Sequence, residues 1–236
     1  MSIAENVARI RAEIEAAAHA ASRDPGSVTL CAATKMNDAA RVREAIAAGV
    51  TCCGENRVQE LTQKLAEHAY EGASVHFIGH LQTNKVKQVV GKVDLIQSVD
   101  SERLLAAISK EAARQNICQD ILLEVNIADE QSKSGFTCGG VLEILEKITE
   151  YPHIRVLGLM AIPPICENSG DNHKFFQEIC NLAVDITRKK YDNVSMEILS
   201  MGMSGDYSDA ISCGSTMIRI GTAIFGARDY SKPHRT

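Results

Sequence analysis

Lys35 closes the run A-A-T-K at 32–35, directly after small and apolar residues that belong in the wall of a packed structure. Partial removal from water weakens an amine's preference for its charged form, so such a lysine presents a neutral nucleophile able to attack an aldehyde and form a Schiff base. The same placement also suits a lysine that lays its stem on apolar surface and keeps its ammonium in solvent. Toward the other end of the chain, Gly221 and Thr222 interrupt an apolar run from 217 to 226. A bare backbone beside a hydroxyl suits the approach of a phosphate to backbone N–H groups. Without a ligand, Gly221 reads as a bulge and Thr222 as a strand former. Ser200 offers a second hydroxyl, and Arg219, two residues before Gly221, shares its strand face and offers a fixed cation.

The elements that must position these groups are written along the chain. Ser2 and Glu5 form a capping box, and Ile3, Val7, Ile10 and Ile14 recur at helical spacing, which predicts an opening helix to about residue 21, ended by Asp24, Pro25 and Gly26. Eight short apolar or β-branched runs follow, beginning near Val28, Thr51, Val75, Asp94, Asp120, Ile154, Met196 and Met217. Helical periodicity between them is clearest at 38–48, 101–115, 139–150 and 173–190. Eight strand-then-helix units predict an α/β fold, a single (β/α)8 TIM barrel with an extra N-terminal helix, and the absence of G-x-G-x-x-G and G-x-x-x-x-G-K-[ST] argues against an open nucleotide-binding sheet. No Pro/Gly/Ser-rich linker or short repeat divides the chain, so residues 1–236 read as one domain.

In such a barrel the site lies at the C-terminal ends of the strands. Lys35, Asn56, His80, Ser98, Asn126 and Ser200 stand at or near those ends, and Arg219 lies within the last run. Strands commonly end in polar turn residues, so each alone carries little. Together they carry more, because the first strand and the loops after the seventh and eighth are neighbours around a closed barrel. Pyridoxal 5'-phosphate (PLP) has both an aldehyde for an amine and a phosphate for such loops, and Arg219 could reach its ring nitrogen.

Other chemistries fit less well. The 25 Lys and Arg against 30 Asp and Glu give a net charge of −5 with no basic block, so a nucleic-acid partner is not expected. Eight cysteines without a C-x-x-C pair read as reduced thiols of a cytoplasmic protein, and the charged N-terminus carries no signal or membrane segment. His76 and His80 fall short of the three ligands of a catalytic zinc and are expected to pack and hydrogen-bond within the barrel. No metal is therefore expected, and Cys52 and Cys53, which should point to opposite faces, read as buried filler and not as a redox pair.

The stretches A-T-K at 33–35, G-E-N-R-V-Q-E at 54–60, H-F-I-G-H-L-Q-T-N-K at 76–85, S-V-D-S at 98–101, K-S-G-F at 133–136, L-S-M-G-M-S at 199–204 and G-S-T-M-I-R-I-G-T-A-I-F-G-A-R at 214–228 resemble the pyridoxal phosphate homeostasis (YggS or PROSC) family over nearly the whole chain. That resemblance implies a monomeric fold-type III barrel, similar to the N-terminal domain of bacterial alanine racemase and linked to intracellular vitamin B6 and amino-acid homeostasis without an established reaction. It implies Lys35 as the Schiff-base lysine, Ser200, Gly221 and Thr222 as phosphate contacts, Arg219 as partner of the pyridine nitrogen, and Asn56 along the ring. An exposed barrel mouth would let the cofactor enter and leave, so apo PLP-dependent enzymes are the partners expected. Departures from the family pattern, Met36, Asn37 and Arg57, fall at the rim. The rival is a PLP-dependent amino-acid racemase. That enzyme needs a second domain, for which the tail from 227 leaves no expected material.

Overall fold

The opening helix forms because its first turn is satisfied locally and its apolar residues share a face. Ser2 Oγ accepts from the Glu5 N–H at 3.2 Å, and the Glu5 carboxylate accepts from the Ser2 N–H at 2.7 Å. Helix α1, Ile3–Ala20, buries Ile3, Val7, Ile10 and Ile14. Its Asn6 donates to Ile224 O at 2.9 Å, tying the helix to the end of the barrel. The computed structural model describes residues 1–128, 130, 134–164 and 170–226. Lys133, Cys166 and the tail from 227 lie outside the described residues.

Eight strands follow: β1 Thr29–Ala33, β2 Cys52–Glu55, β3 Ser74–Phe77, β4 Leu95–Val99, β5 Gln119–Val125, β6 Ile154–Ala161, β7 Val194–Ser200 and β8 Met217–Ile220. Each runs parallel to the next, and β1 pairs with β8 to close the barrel. Around them lie α2 Ala39–Ala47, α3 Val58–Ala66, α4 Glu102–Gln115, α5 Cys138–Glu146, α6 His173–Lys189, α7 Tyr207–Ser212 and α8 Thr222–Phe225. A 3-10 turn, Thr83–Gln88, joins β3 to β4, and the helical segment expected at 139–150 divides into α5 and a 3-10 turn, Ile148–Glu150. Among the described residues no helix is long and apolar enough to cross a membrane.

Strand alternation divides the core in two. Outward residues such as Ala32, Cys53, Ile96 and Leu123 pack with the helices in the main cluster. Inward residues fill the barrel in two smaller groups, Cys31, Cys52 and Met217 in one, Leu95, Leu122 and Met160 in the other. Cys52 and Cys53 therefore do face opposite sides.

Candidate functional site

A cavity of about 420 Å³ opens where the strands end, a size suited to a small-molecule ligand. Lys35, Asn56, Arg219, Gly221 and Thr222 all line it.

Lys35 stands two residues beyond β1 on a turn pinned from both sides. Before it, Thr34 donates its N–H to Gly54 O at 2.8 Å and its hydroxyl reaches Glu55 Oε2 at 3.2 Å. After it, Met36 takes a left-handed φ of 61° and donates its N–H to Glu60 Oε2 at 2.7 Å. Both carboxylates converge on Lys64, whose Nζ lies 2.5 Å from Glu55, 3.3 Å from Glu60 and 2.9 Å from Thr34 O. This buried ion-pair network is what holds the Lys35 turn against the mouth.

Asn56 follows β2, and its N–H donates to Glu55 Oε1 at 2.9 Å. Its Oδ1 is buried with no hydrogen-bond partner among the described residues, an acceptor in the cavity wall. The β3 loop crosses this backbone closely at Gly79, where an added Cβ would lie 2.1 Å from Asn56 O and 2.6 Å from Asn56 Cα. Neither is a flexible side-chain end. Gly79→Ala is therefore expected to displace Asn56 and to destabilise the protein by about 1–3 kcal/mol, read by urea unfolding.

On the opposite side of β1, Arg219 is 5% exposed. Its Nη1 donates to the carbonyl and hydroxyl oxygens of Ser200, both at 2.6 Å, and its Nη2 to Ala161 O at 2.9 Å. Burial lowers its pKa, while Cys31, Glu124 and Asp206 favour its charge. Gly221 lies against β1, where an added Cβ would sit 3.4 Å from Ala33 Cβ. Thr222 opens α8, and the first N–H groups of a helical turn have no acceptor within it.

Ser200, expected as a phosphate contact, lies deeper than the residues of the cavity wall. It is wholly buried and does not line the cavity: its hydroxyl donates to Gln97 Oε1 at 2.6 Å and accepts from Arg219. A hydroxyl at the last position of β7 is consumed inside the barrel, and Ser204, four residues on, is the serine in the wall. The sequence offered L-S-M-G-M-S with two serines and no means of choosing between them.

His80 also differs from expectation. β3 ends at Phe77, so His80 leaves the strand face shared with His76 and stands exposed at the cavity, 3.0 Å from Asp100. His76 does pack inside, beside Gln97 at 2.9 Å. Ser98 lies within β4 and donates to Gly79 O, and Asn126 sits in the wall.

Glu124 was missed. It lies in the apolar run of β5, lines the cavity, and has its pKa raised to about 6 by burial and then by Asp100, with Arg219 and His80 opposing. A carboxyl inside I-L-L-E-V is the signal that could have found it. The folded state binds its proton more tightly than the unfolded chain, so its contribution is fully present below the ordinary carboxylate pKa and is lost as pH rises through about 6. Glu124→Gln is expected to flatten this slope and to gain up to about 2 kcal/mol at neutral pH, read from denaturation midpoints between pH 4 and 8.

Comparison with known proteins agrees with this geometry. The family model described as alanine racemase, N-terminal domain, matches residues 5–229. A pyridoxal phosphate homeostasis protein of Aquifex aeolicus is 40% identical over 230 residues, covering 98% of this chain and 100% of that protein. The structure of PipY from Synechococcus elongatus PCC7942 with PLP bound has a TM-score of 0.82 at 31% identity, covering 95% of this chain and 100% of PipY. An alanine racemase of Clostridium difficile 630 shares the fold alone, with a TM-score of 0.71 at 14% identity over 98% of this chain and 58% of the racemase. With a closed parallel barrel and full-length likeness to these relatives, the chain belongs to the alanine racemase N-terminal domain family and, within it, to the pyridoxal phosphate homeostasis proteins.

Proposed function

We propose that this chain binds PLP on Lys35 and serves intracellular PLP and amino-acid homeostasis. The observation that carries this reading is the meeting in one cavity of the Lys35 amine, just beyond β1, with Arg219 on β8 and with Gly221 and Thr222 where β8 passes into α8, across the seam where β1 pairs with β8. The wall fits the group. Asn56 Oδ1 awaits a donor, the start of α8 and the Ser204 hydroxyl suit an anion, and Arg219 is held rigidly by three hydrogen bonds. Bound there, PLP supplies an aldehyde that captures amines. Lys35 would provide the anchoring amine and Arg219, held in place by Ser200, would stand as the cation toward the ring nitrogen and disfavour its protonation.

An arginine at the ring nitrogen would weaken electron withdrawal by the ring, but a racemase with the same arginine can still work through a second base, so Arg219 alone does not separate holding from catalysis. The relatives' name, homeostasis protein, points to holding. One observation favours the rival racemase-like reading: Glu124, with its pKa near 6, is an acid/base group in the cavity wall. Exchange of amino-acid α-protons in deuterated water separates the two. The binding reading expects exchange no faster than with free PLP, whereas turnover that disappears in Glu124→Gln replaces it with an enzyme.

A monomeric, cytoplasmic, one-domain carrier that passes PLP to apo-enzymes completes the proposal. Borohydride reduction of the PLP-loaded protein followed by peptide mass spectrometry tests its centre. The expected product is a pyridoxyl group on Lys35, and an adduct on another lysine in its place contradicts the assignment.

A further inference from the structure

Beneath the cavity, the barrel interior gathers soft donor atoms that cofactor binding does not use. Cys31, Cys52 and His76 come from three adjacent strands, with Cys31 and Cys52 as register partners. One donor atom from each lies within 4.8 Å of the others. Cys52 Sγ stands 3.4 Å from His76 Nδ1 and 3.8 Å from Nε2. All three are buried, at 0%, 2% and 7% exposure. Met217 on β8 belongs to the same cluster as the two thiols, and Gln97 Nε2 touches both His76 Nδ1, at 2.9 Å, and Met217 Sδ, at 3.2 Å.

We propose that Cys31, Cys52 and His76, with Met217 as a weaker fourth donor, form a binding site for one cuprous ion. A sulfur about 2.3 Å and a nitrogen about 2.0 Å from a shared metal, at a trigonal or tetrahedral angle, stand about 3.5 Å apart. With His76 Nδ1 engaged by Gln97, Nε2 is the ligating nitrogen, and its 3.8 Å from Cys52 Sγ lies close to this spacing. Thiolate, thioether and imidazole are the ligands that select Cu(I). Structural zinc wants four strong ligands from Cys, His or carboxylate, and among the described residues these three form the one such cluster, with no carboxylate completing it.

Charge and room also fit. Arg219 is the register partner of Cys31 on β8, so a guanidinium offsets the negative charge that two thiolates around a monovalent ion would leave. At Gly54 an added Cβ would lie 2.9 Å from Cys31 Sγ and 2.8 Å from Ile78 Cδ1, so the missing side chain keeps the space beside the thiols. Ile78 lines the cavity above and packs on the cluster below, which makes its rotation the route for an entering ion.

The test titrates the reduced, full-length protein with Cu(I) under anaerobic conditions against bicinchoninate, a chromogenic Cu(I) chelator. Expected are one copper held per chain in the intact-mass spectrum and an X-ray absorption shell of sulfur with one nitrogen. Cys52→Ser should weaken retention by roughly 100-fold. Met217→Leu, which keeps the volume, should weaken it several-fold and remove a long sulfur scatterer, and it decides the matter if the cysteine variants fail to fold. Cys118→Ser, an exposed thiol, should change nothing. Copper surrendered fully to the chelator, copper held equally by Cys52→Ser, preferential uptake of zinc, or a Cys31–Cys52 disulfide that excludes metal under reductant would each overturn the site.

Discussion

Lys35→Ala should leave a folded barrel that no longer keeps PLP through dialysis. The backbone on either side of Lys35 is fastened by Thr34, Met36 and the two glutamates, none of which uses the lysine side chain. The side chain lines the cavity and is not part of the buried core, so its loss should shift stability by no more than about 0.5–1 kcal/mol. Binding is another matter. With the covalent link gone, only the proposed contacts of α8, Ser204, Asn56 and Arg219 would remain, and forfeiting even ~2.7 kcal/mol weakens retention about 100-fold. Visible absorption after gel filtration and mass after borohydride reduction read the result. Lys35→Arg, which keeps a cation but cannot form the imine, should behave like the alanine variant. If either variant retains as much reduced adduct as the parent protein, Lys35 is not the anchor.

The strands were legible because parallel strands buried on both faces read as short apolar runs, and the long periodic helices α4 and α6 were legible for the matching reason. Helices α7 and α8, of six and four residues, are too short to show a period, and the polar run Q-E-L-T-Q-K hides α3, whose Lys64 is buried. At the site, residue types announced Lys35, Arg219, Gly221 and Thr222, because an amine or a bare backbone at a strand end is unusual in itself. Ser200 and Ser204 differ only in height along β7 and its loop, which no local pattern encodes. Cys31, Cys52 and His76 are 21 and 24 residues apart and were read separately, since only the strand register makes them neighbours. Residue chemistry can be read locally, whereas convergence depends on register.

The network under the Lys35 turn gives the largest expected effect on stability. Lys64→Met should destabilise the protein by about 3–5 kcal/mol, because Glu55, with 0% exposure, would be left as a buried carboxylate without its cation. At roughly 2–4 °C per kcal/mol for a chain of this size, the melting temperature should fall by about 10 °C. The remaining partners of Glu55 are neutral donors, Asn56 N–H at 2.9 Å, Tyr70 OH at 3.4 Å and Thr34 Oγ1 at 3.2 Å, and they do not replace an ammonium at 2.5 Å. Glu55→Gln combined with Lys64→Met removes both charges and should recover most of the loss, since neither partner then sits buried with an unmatched charge. The two variants should nonetheless share one defect. Either way Thr34 O loses the Lys64 ammonium and Glu60 loses its bridge to the β2 end, so the Lys35 turn is freed on the side where Met36 holds a strained left-handed φ. PLP uptake should therefore stay impaired in the double variant after its melting temperature has recovered, which separates the positioning of the amine from the stability of the barrel. Full uptake in the double variant would mean that the turn keeps its shape without the network.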